Sequence, residues 1–226
     1  MRQSRRRGTD GPGSDWSRHD LAGMGLRVLS GRRLGLSQRR AGFVALASDA
    51  DEDEGAAAVW LVRRPGSPDS AQHTLVFERH DGWRFLGGGS SSAREISLDR
   101  RPAAPVDGPA SMIRLMSSSA SRSRIDRERL AGGLGAAGAG WVACAGFRVA
   151  AEVGYLQAAG RSIPVPGHGH AIVAWRSPPP LTRPLIVAVS NSISVLSELG
   201  PHDPLDSLSW ESIEHALADD PPPPSG

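Results

Sequence analysis

Two histidines separated by one glycine are the strongest sign of chemistry in the sequence. His168 and His170 flank Gly169, and in an extended segment both imidazoles would point to the same side of the chain. Imidazole nitrogens bind zinc and, together with a carboxylate, iron. The pattern predicts a divalent-metal site, with His202 and Asp203 as further ligands. The alternative is a glycine-rich loop whose histidines face solvent.

A second group of candidates lies in an arginine-rich segment. Residues 1–40 hold ten arginines and three aspartates, a net charge of +7, whereas residues 41–226 carry a net charge of −5. Within residues 25–40, leucines and a valine are interleaved with arginines, as in segments that lie on nucleic acid or on an anionic membrane. The alternative is an extension without a function of its own. The candidate surface residues are Arg27, Arg32, Arg33, Arg39 and Arg40.

Two tryptophans complete the candidate surface. Trp83 lies in a predicted hairpin, and Trp175 lies just before a proline-rich loop. An exposed tryptophan is a frequent anchor for a protein partner. The alternative is that both rings belong to the hydrophobic core, which is where a tryptophan in a strand usually lies.

The common catalytic motifs are missing or out of context. Residues 133–138 match GxGxxG. A dinucleotide site needs a strand before this motif and a helix after it, whereas here a charged segment precedes it and a strand-like segment follows. No nucleophile elbow, P-loop or CxxC pair occurs. Cys144, the only cysteine, lies in an apolar run, which predicts a buried and unreactive thiol. No export signal or membrane-spanning segment is evident, so we expect a cytoplasmic protein.

The elements that must position these residues are mainly β-strands. The chain reads as an antiparallel meander with a hairpin turn at Asp81-Gly82, followed by a second β unit. In that unit a two-residue alternation from Phe147 to Tyr155 predicts one continuous strand. Trp210, Ile213 and Leu217 are spaced for one face of a terminal helix near 207–218. The predicted organisation is a disordered and basic amphipathic arm (1–40), the β meander (41–100), a Pro/Ser/Gly-rich linker (101–140), a β unit with the C-terminal helix (141–218) and a Pro-rich tail (219–226).

The predicted fold is mainly β, either an antiparallel β-sandwich or two small packed sheets, with one C-terminal helix and disordered termini. The predicted function is a non-catalytic interaction module with a protein partner. One alternative is a metal-binding protein or metal-dependent enzyme that uses the histidine pair and a divalent metal. The other is a peripheral protein that binds nucleic acid or an anionic membrane through residues 25–40.

Overall fold

Eleven strands and three helices form within the described residues. The computed structural model describes residues 16–94, 96, 98, 113–130 and 139–201. The helices are α1 (Arg18–Leu29), α2 (Leu36–Arg40) and α3 (Arg124–Leu130). The strands are β1 (Phe43–Asp51), β2 (Ala56–Arg63), β3 (Ala71–Arg79), β4 (Trp83–Ser92), β5 (Ile113–Arg122), β6 (Trp141–Val149), β7 (Val153–Ala158), β8 (Arg161–Pro164), β9 (His170–Ser177), β10 (Ile186–Ser190) and β11 (Val195–Leu199).

The strands form three antiparallel sheets, so the protein is mainly β, as the sequence predicts. Sheet A is a meander in the order β1-β2-β3-β4, and Asp81-Gly82 lies in the turn between β3 and β4. Sheet B has the order β5-β6-β9, and sheet C has the order β11-β10-β7-β8. All pairings described in the three sheets are antiparallel.

The prediction of one strand from Phe147 to Tyr155 is wrong. Strand β6 ends at Val149 in sheet B, and β7 begins at Val153 in sheet C. The three residues between them carry the chain from one sheet to the next. The apolar alternation continues across this crossing because β6 and β7 contribute to the same core, so periodicity alone does not show the break.

Sheet B lies between the other two sheets, which explains the long apolar runs in the sequence. In β6, Val142 and Cys144 pack toward sheet A, whereas Ala143, Ala145 and Phe147 pack toward sheet C. Strand β9 divides its side chains in the same way. A strand buried on both faces needs apolar residues at nearly every position. The outcome is two β cores, one on each side of sheet B.

Helix α1 covers the outer face of sheet A, which differs from the disordered arm predicted for this segment. Ser17 and Asp20 form a capping box, in which the Asp20 N–H donates to Ser17 Oγ over 3.2 Å and the Ser17 N–H donates to Asp20 Oδ2 over 3.1 Å. Leu21 and Met24 are buried against the sheet. Gly25 is needed for this contact, because a Cβ there would lie 2.3 Å from Phe77.

The segment predicted as a linker contains strand β5 and helix α3. Its serines are typical of an irregular segment, but their small side chains also allow two sheets to approach each other closely. Thr74 Oγ1 donates to Ser117 Oγ over 3.2 Å, which joins sheet A to sheet B. A Cβ on Gly87 would lie 2.6 Å from Ser121 Oγ, so β4 also approaches β5 closely at this point. Small residues therefore line the contact between the two sheets.

Some sequence predictions lie outside the described residues. These are residues 1–15, residues 99–112, residues 131–138, the helix near 207–218 and the tail from 219. Among the helices that the structure describes, none has both the length and the apolar character needed to cross a bilayer.

Candidate functional site

A groove with arginines at its rim runs along the free edge of sheet A, and we call it the basic groove. Strand β1 is an edge strand that pairs only with β2 among the described strands. A cavity of about 440 Å³ lies beside Phe43–Ala45, and a second of about 260 Å³ lies beside Ala45–Ser48. Both cavities share Val28 and Ala45, so they adjoin. Because consecutive β1 residues line them, the groove follows the strand edge.

The walls of the basic groove come from three parts of the chain, and their surface is mostly apolar in the larger cavity and mixed in the smaller one. One wall is the last turn of α1 and the following loop, the floor is β1, and the far wall is β8 with the start of β9. The apolar lining includes Val28, Leu34, Phe43, Leu46, Ile163 and Pro164. Leu36 on α2, two residues after Leu34 in sequence, is 66% exposed. The groove therefore offers apolar contact area that nothing in the described residues covers.

The rim of the basic groove is positively charged. Arg32, Arg33 and Arg39 line it and are exposed. Between residues 16 and 40 the chain holds six arginines and one acid, Asp20, whose hydrogen bonds with Ser17 lower its pKa. That acid is engaged in capping the far end of α1. The groove therefore combines apolar lining with guanidinium groups that have no carboxylate partner among the described residues.

Local geometry holds these arginines in place. Helix α1 ends where Gly31 adopts φ +68°, a conformation that favours glycine. Arg27 donates from Nε and Nη2 to the Arg33 carbonyl over 3.3 and 3.2 Å, and it closes the turn. Leu34 is buried and anchors the loop. Of the predicted arginines, Arg32, Arg33 and Arg39 face the groove, Arg27 supports the loop, and Arg40 is exposed at the end of α2.

The histidine pair is close in space but is built differently from the predicted metal site. The rings of His168 and His170 lie 5.4 Å apart, and Gly169 between them has φ +73°, so the segment is a turn rather than extended chain. His168 Nδ1 accepts the His170 N–H over 3.2 Å. His170 is fully buried against Trp60, with ring centroids 5.5 Å apart.

The surroundings of His170 keep its ring neutral. Burial, with Arg148 and His168 nearby, lowers its pKa to about 4. Neither ring nitrogen has a hydrogen-bond partner among the described residues. Within the described ranges no group of three histidine, cysteine or acidic side chains is placed to hold a metal ion. His202 and Asp203, the other predicted ligands, lie outside the described residues.

The two predicted tryptophans have different surroundings. Trp175 is 6% exposed, packs in the core between sheets B and C, and donates from its indole N–H to the Thr182 carbonyl over 2.8 Å. Its assignment to a partner surface is corrected by this burial. Trp83 is half-buried on sheet A and lies under the Arg79 guanidinium, 5.8 Å from the ring centroid. Cys144 is buried, and burial raises the pKa of its thiol to about 12.

Two ion-pair clusters that the sequence did not indicate join the sheets. In the first, Arg161 on β8 contacts Asp49 Oδ1 at 2.7 Å and Asp51 Oδ2 at 3.0 Å, and it donates to the Ala174 carbonyl over 2.6 Å. Asp49 Oδ2 also accepts the Ala174 N–H over 2.8 Å. Burial raises the pKa of Asp49 despite these partners. One arginine thereby connects all three sheets.

The second cluster surrounds Glu78 on β3. Its carboxylate accepts hydrogen bonds from the Ser123 hydroxyl, from the Arg124 N–H at 3.0 Å and from Arg176 on β9. Arg176 also contacts Asp126 at 3.4 Å. These residues are 45 to 98 positions from Glu78 in sequence, so no local spacing pattern could have indicated the cluster. Both carboxylate oxygens of Glu78 therefore accept hydrogen bonds that hold the sheets together.

The fold and the groove define an antiparallel β protein of three stacked sheets, with a helix on the outer face and a basic groove at one sheet edge. No protein-family model, curated protein or solved structure matches this chain.

Proposed function

We propose that this protein is a non-catalytic binding module that holds an acidic amphipathic segment of a protein partner in the basic groove. The observation that carries the proposal is the combination of an apolar wall with the exposed side chains of Arg32, Arg33 and Arg39. Proteins that take up an amphipathic helix offer an apolar groove for its anchors. Charges at the rim select the partner and speed its approach.

The shape of the site favours a protein segment over a nucleic acid or a membrane surface. Phosphate contacts require basic side chains but no apolar cavity. The basic groove is concave, and its lining beside Arg32 and Arg33 is formed by Val28, Leu34 and Phe43. A partner gains most from this surface if it brings apolar side chains as well as negative charge.

The test uses a defined probe and the full chain. The probe is a fluorescent synthetic helix with leucines at i, i+3, i+4 and i+7 and glutamates elsewhere. Its binding is followed by fluorescence anisotropy. We expect Arg32→Glu/Arg33→Glu to weaken binding by roughly tenfold or more, equivalent to about 1.4 kcal/mol. Added salt should weaken binding to the unmodified chain, because the rim charges are exposed.

The control pair is Arg18→Glu/Arg84→Glu, which changes the net charge equally. Both arginines are exposed, and neither lines the groove. This pair should bind the probe as the unmodified chain does. Equal losses in both pairs, or equal binding of a probe with lysines in place of glutamates, would overturn the proposal. Stronger binding of duplex DNA or of anionic vesicles than of the acidic probe would favour the peripheral surface instead.

A further inference from the structure

Residues 202–226 of this chain have the chemistry that the basic groove requires. We infer that this segment occupies the groove, with Trp210, Ile213 and Leu217 against the apolar wall and its carboxylates toward the arginine rim. The inference rests on the proposed function and names one occupant for the same site.

Charge complementarity supports this assignment. The segment contains six acids and no arginine, which gives it a net charge of −6. The rim of the groove carries three exposed arginines, and Asp20 is the only acid between residues 16 and 40. The acids of the segment are Asp203, Asp206, Glu211, Glu214, Asp219 and Asp220.

The apolar residues of the segment also have a suitable spacing. Trp210, Ile213 and Leu217 stand at i, i+3 and i+7, which places them on one face of a helix. This is the anchor pattern of helices that dock in grooves. Glu211 and Glu214 fall between the anchors, so the carboxylates of such a helix flank its apolar face. The larger cavity, about 440 Å³, has room for anchors of this size.

The segment begins within reach of the groove. Pairing across sheet C places Ser197, Ala188, Leu156 and Ile163 in one row. Ile163 lines the groove, so the row leads from β11 to the site over three strand spacings, about 14 Å. Strand β11 continues to Leu199 and the described chain to Pro201, so the connecting span starts at residue 202. Residues 202–209 reach up to about 28 Å when extended, which is enough to bring Trp210 and the later anchors to the groove.

The nearest competing apolar surface is less suitable. Ile193 and Val195 are 77% and 60% exposed near the start of the segment. The only charged residue between 184 and 201 is Glu198, which is exposed. An acidic segment would meet a like charge there, whereas at the groove it meets arginines.

The absence of lysine from the sequence makes a specific crosslinking test possible. Arg39→Lys places the only side-chain amine of the full chain at the groove rim. A carbodiimide then joins that amine to any carboxylate in direct contact, and mass spectrometry locates the link. The matched variant is Arg84→Lys on β4, where Asp81 lies 3.5 Å from the arginine. It should link to Asp81 and thereby show that the chemistry works.

We expect Arg39→Lys to give links to acids between 203 and 220 within one chain. Mixing isotope-labelled and unlabelled chains separates links within a chain from links between copies. Links between copies only would overturn the inference in favour of a second copy as the occupant. Links only to acids outside 203–220, or no link while Arg84→Lys reacts, would overturn it outright.

A second measurement separates this inference from the proposed function. Trp210→Ala/Ile213→Ala/Leu217→Ala should raise the apparent affinity for the acidic probe roughly tenfold or more, because an occupant in the same chain competes at high effective concentration. If the probe binds the unmodified chain and this variant equally, the inference fails and the proposed function stands. If the probe binds neither, the proposed function fails.

Discussion

Two sets of arginines in this molecule have opposite surroundings. Arg161 and Arg176 lie between sheets, each 21% exposed at the side chain, and each contacts two carboxylates from other secondary-structure elements. Arg32, Arg33 and Arg39 are exposed beside an apolar groove. The same residue type therefore holds the architecture together in one region and forms a charged rim in the other.

Pairing, more than residue type, therefore separates the structural arginines from the arginines of the proposed binding groove. A buried guanidinium is tolerated only when carboxylates and carbonyls compensate its lost hydration. An exposed guanidinium keeps its hydration and remains able to exchange water for a ligand. Local sequence reveals the exposed set, because those arginines are clustered. It does not reveal the buried set, whose carboxylate partners come from distant parts of the chain.

The largest expected effect tests the buried set. Arg161→Met should lower the free energy of unfolding by about 3–5 kcal/mol, because Asp49 and Asp51, with side chains 7% and 6% exposed, lose their cation. Urea unfolding at neutral pH measures the change. Adding Asp49→Asn/Asp51→Asn should recover part of the loss by removing the unpaired charges. A loss below about 1 kcal/mol for Arg161→Met would mean that the cluster is not a structural necessity.

The next effect concerns a buried basic group that lacks a carboxylate. Because the pKa of His170 falls from 6.5 to about 4 on folding, the unfolded chain binds a proton there more readily than the folded chain. Stability from this group is complete above pH 6.5 and is lost as the pH falls toward 4, by about 3 kcal/mol at most. Urea unfolding between pH 7 and 4.5 follows it.

His170→Phe keeps a ring beside Trp60 and removes the titration. The pH dependence of this variant should be flatter than that of the unmodified chain, and the difference isolates His170 from His73, whose pKa is also lowered by burial. Identical slopes for the two proteins would contradict a neutral, buried His170. Identical slopes would also argue against the general rule that a buried cation needs a carboxylate partner, because they would mean that His170 can be protonated without one.

The smallest expected effect concerns the groove arginines. Arg32→Glu/Arg33→Glu should change the free energy of unfolding by less than about 0.5 kcal/mol, because exposed side chains with few contacts contribute little to stability. The same urea measurement applies. A loss above about 1.5 kcal/mol would place these arginines with the structural set, and the contrast between the two regions would disappear.

The β class of the fold was predictable because strand periodicity and turn residues are local signals. The hairpin at Asp81-Gly82 shows this. Helix α1 was also marked locally, by Ser17 and Asp20 at capping spacing, but the polar composition of residues 1–23 concealed it. The serines of β5 favoured the prediction of a linker. In the structure they belong to a strand, because small polar side chains fit an interface between closely spaced sheets.

The candidate site was predictable only in part. The arginine cluster indicated the segment that forms the rim of the basic groove, yet the groove itself depends on β1 being an edge strand and on β8, which comes from the second half of the chain. The histidine pair was conspicuous in sequence, but burial of His170 is a tertiary property. The partners of Glu78 and the carboxylate partners of Arg161 lie 45 or more residues away in sequence, and a single sequence carries no signal for such contacts.

The glycines and serines at the end of β4 have a consequence for self-association. Residues 88 to 92 form an exposed edge of sheet A, and a Cβ on Gly88 would lie 2.2 Å from the Thr74 carbonyl oxygen. A strand from another molecule that paired with this edge would gain main-chain hydrogen bonds but bury almost no apolar side chain. Unprotected edges are where β proteins aggregate, and here the missing side chains remove most of the gain from such pairing.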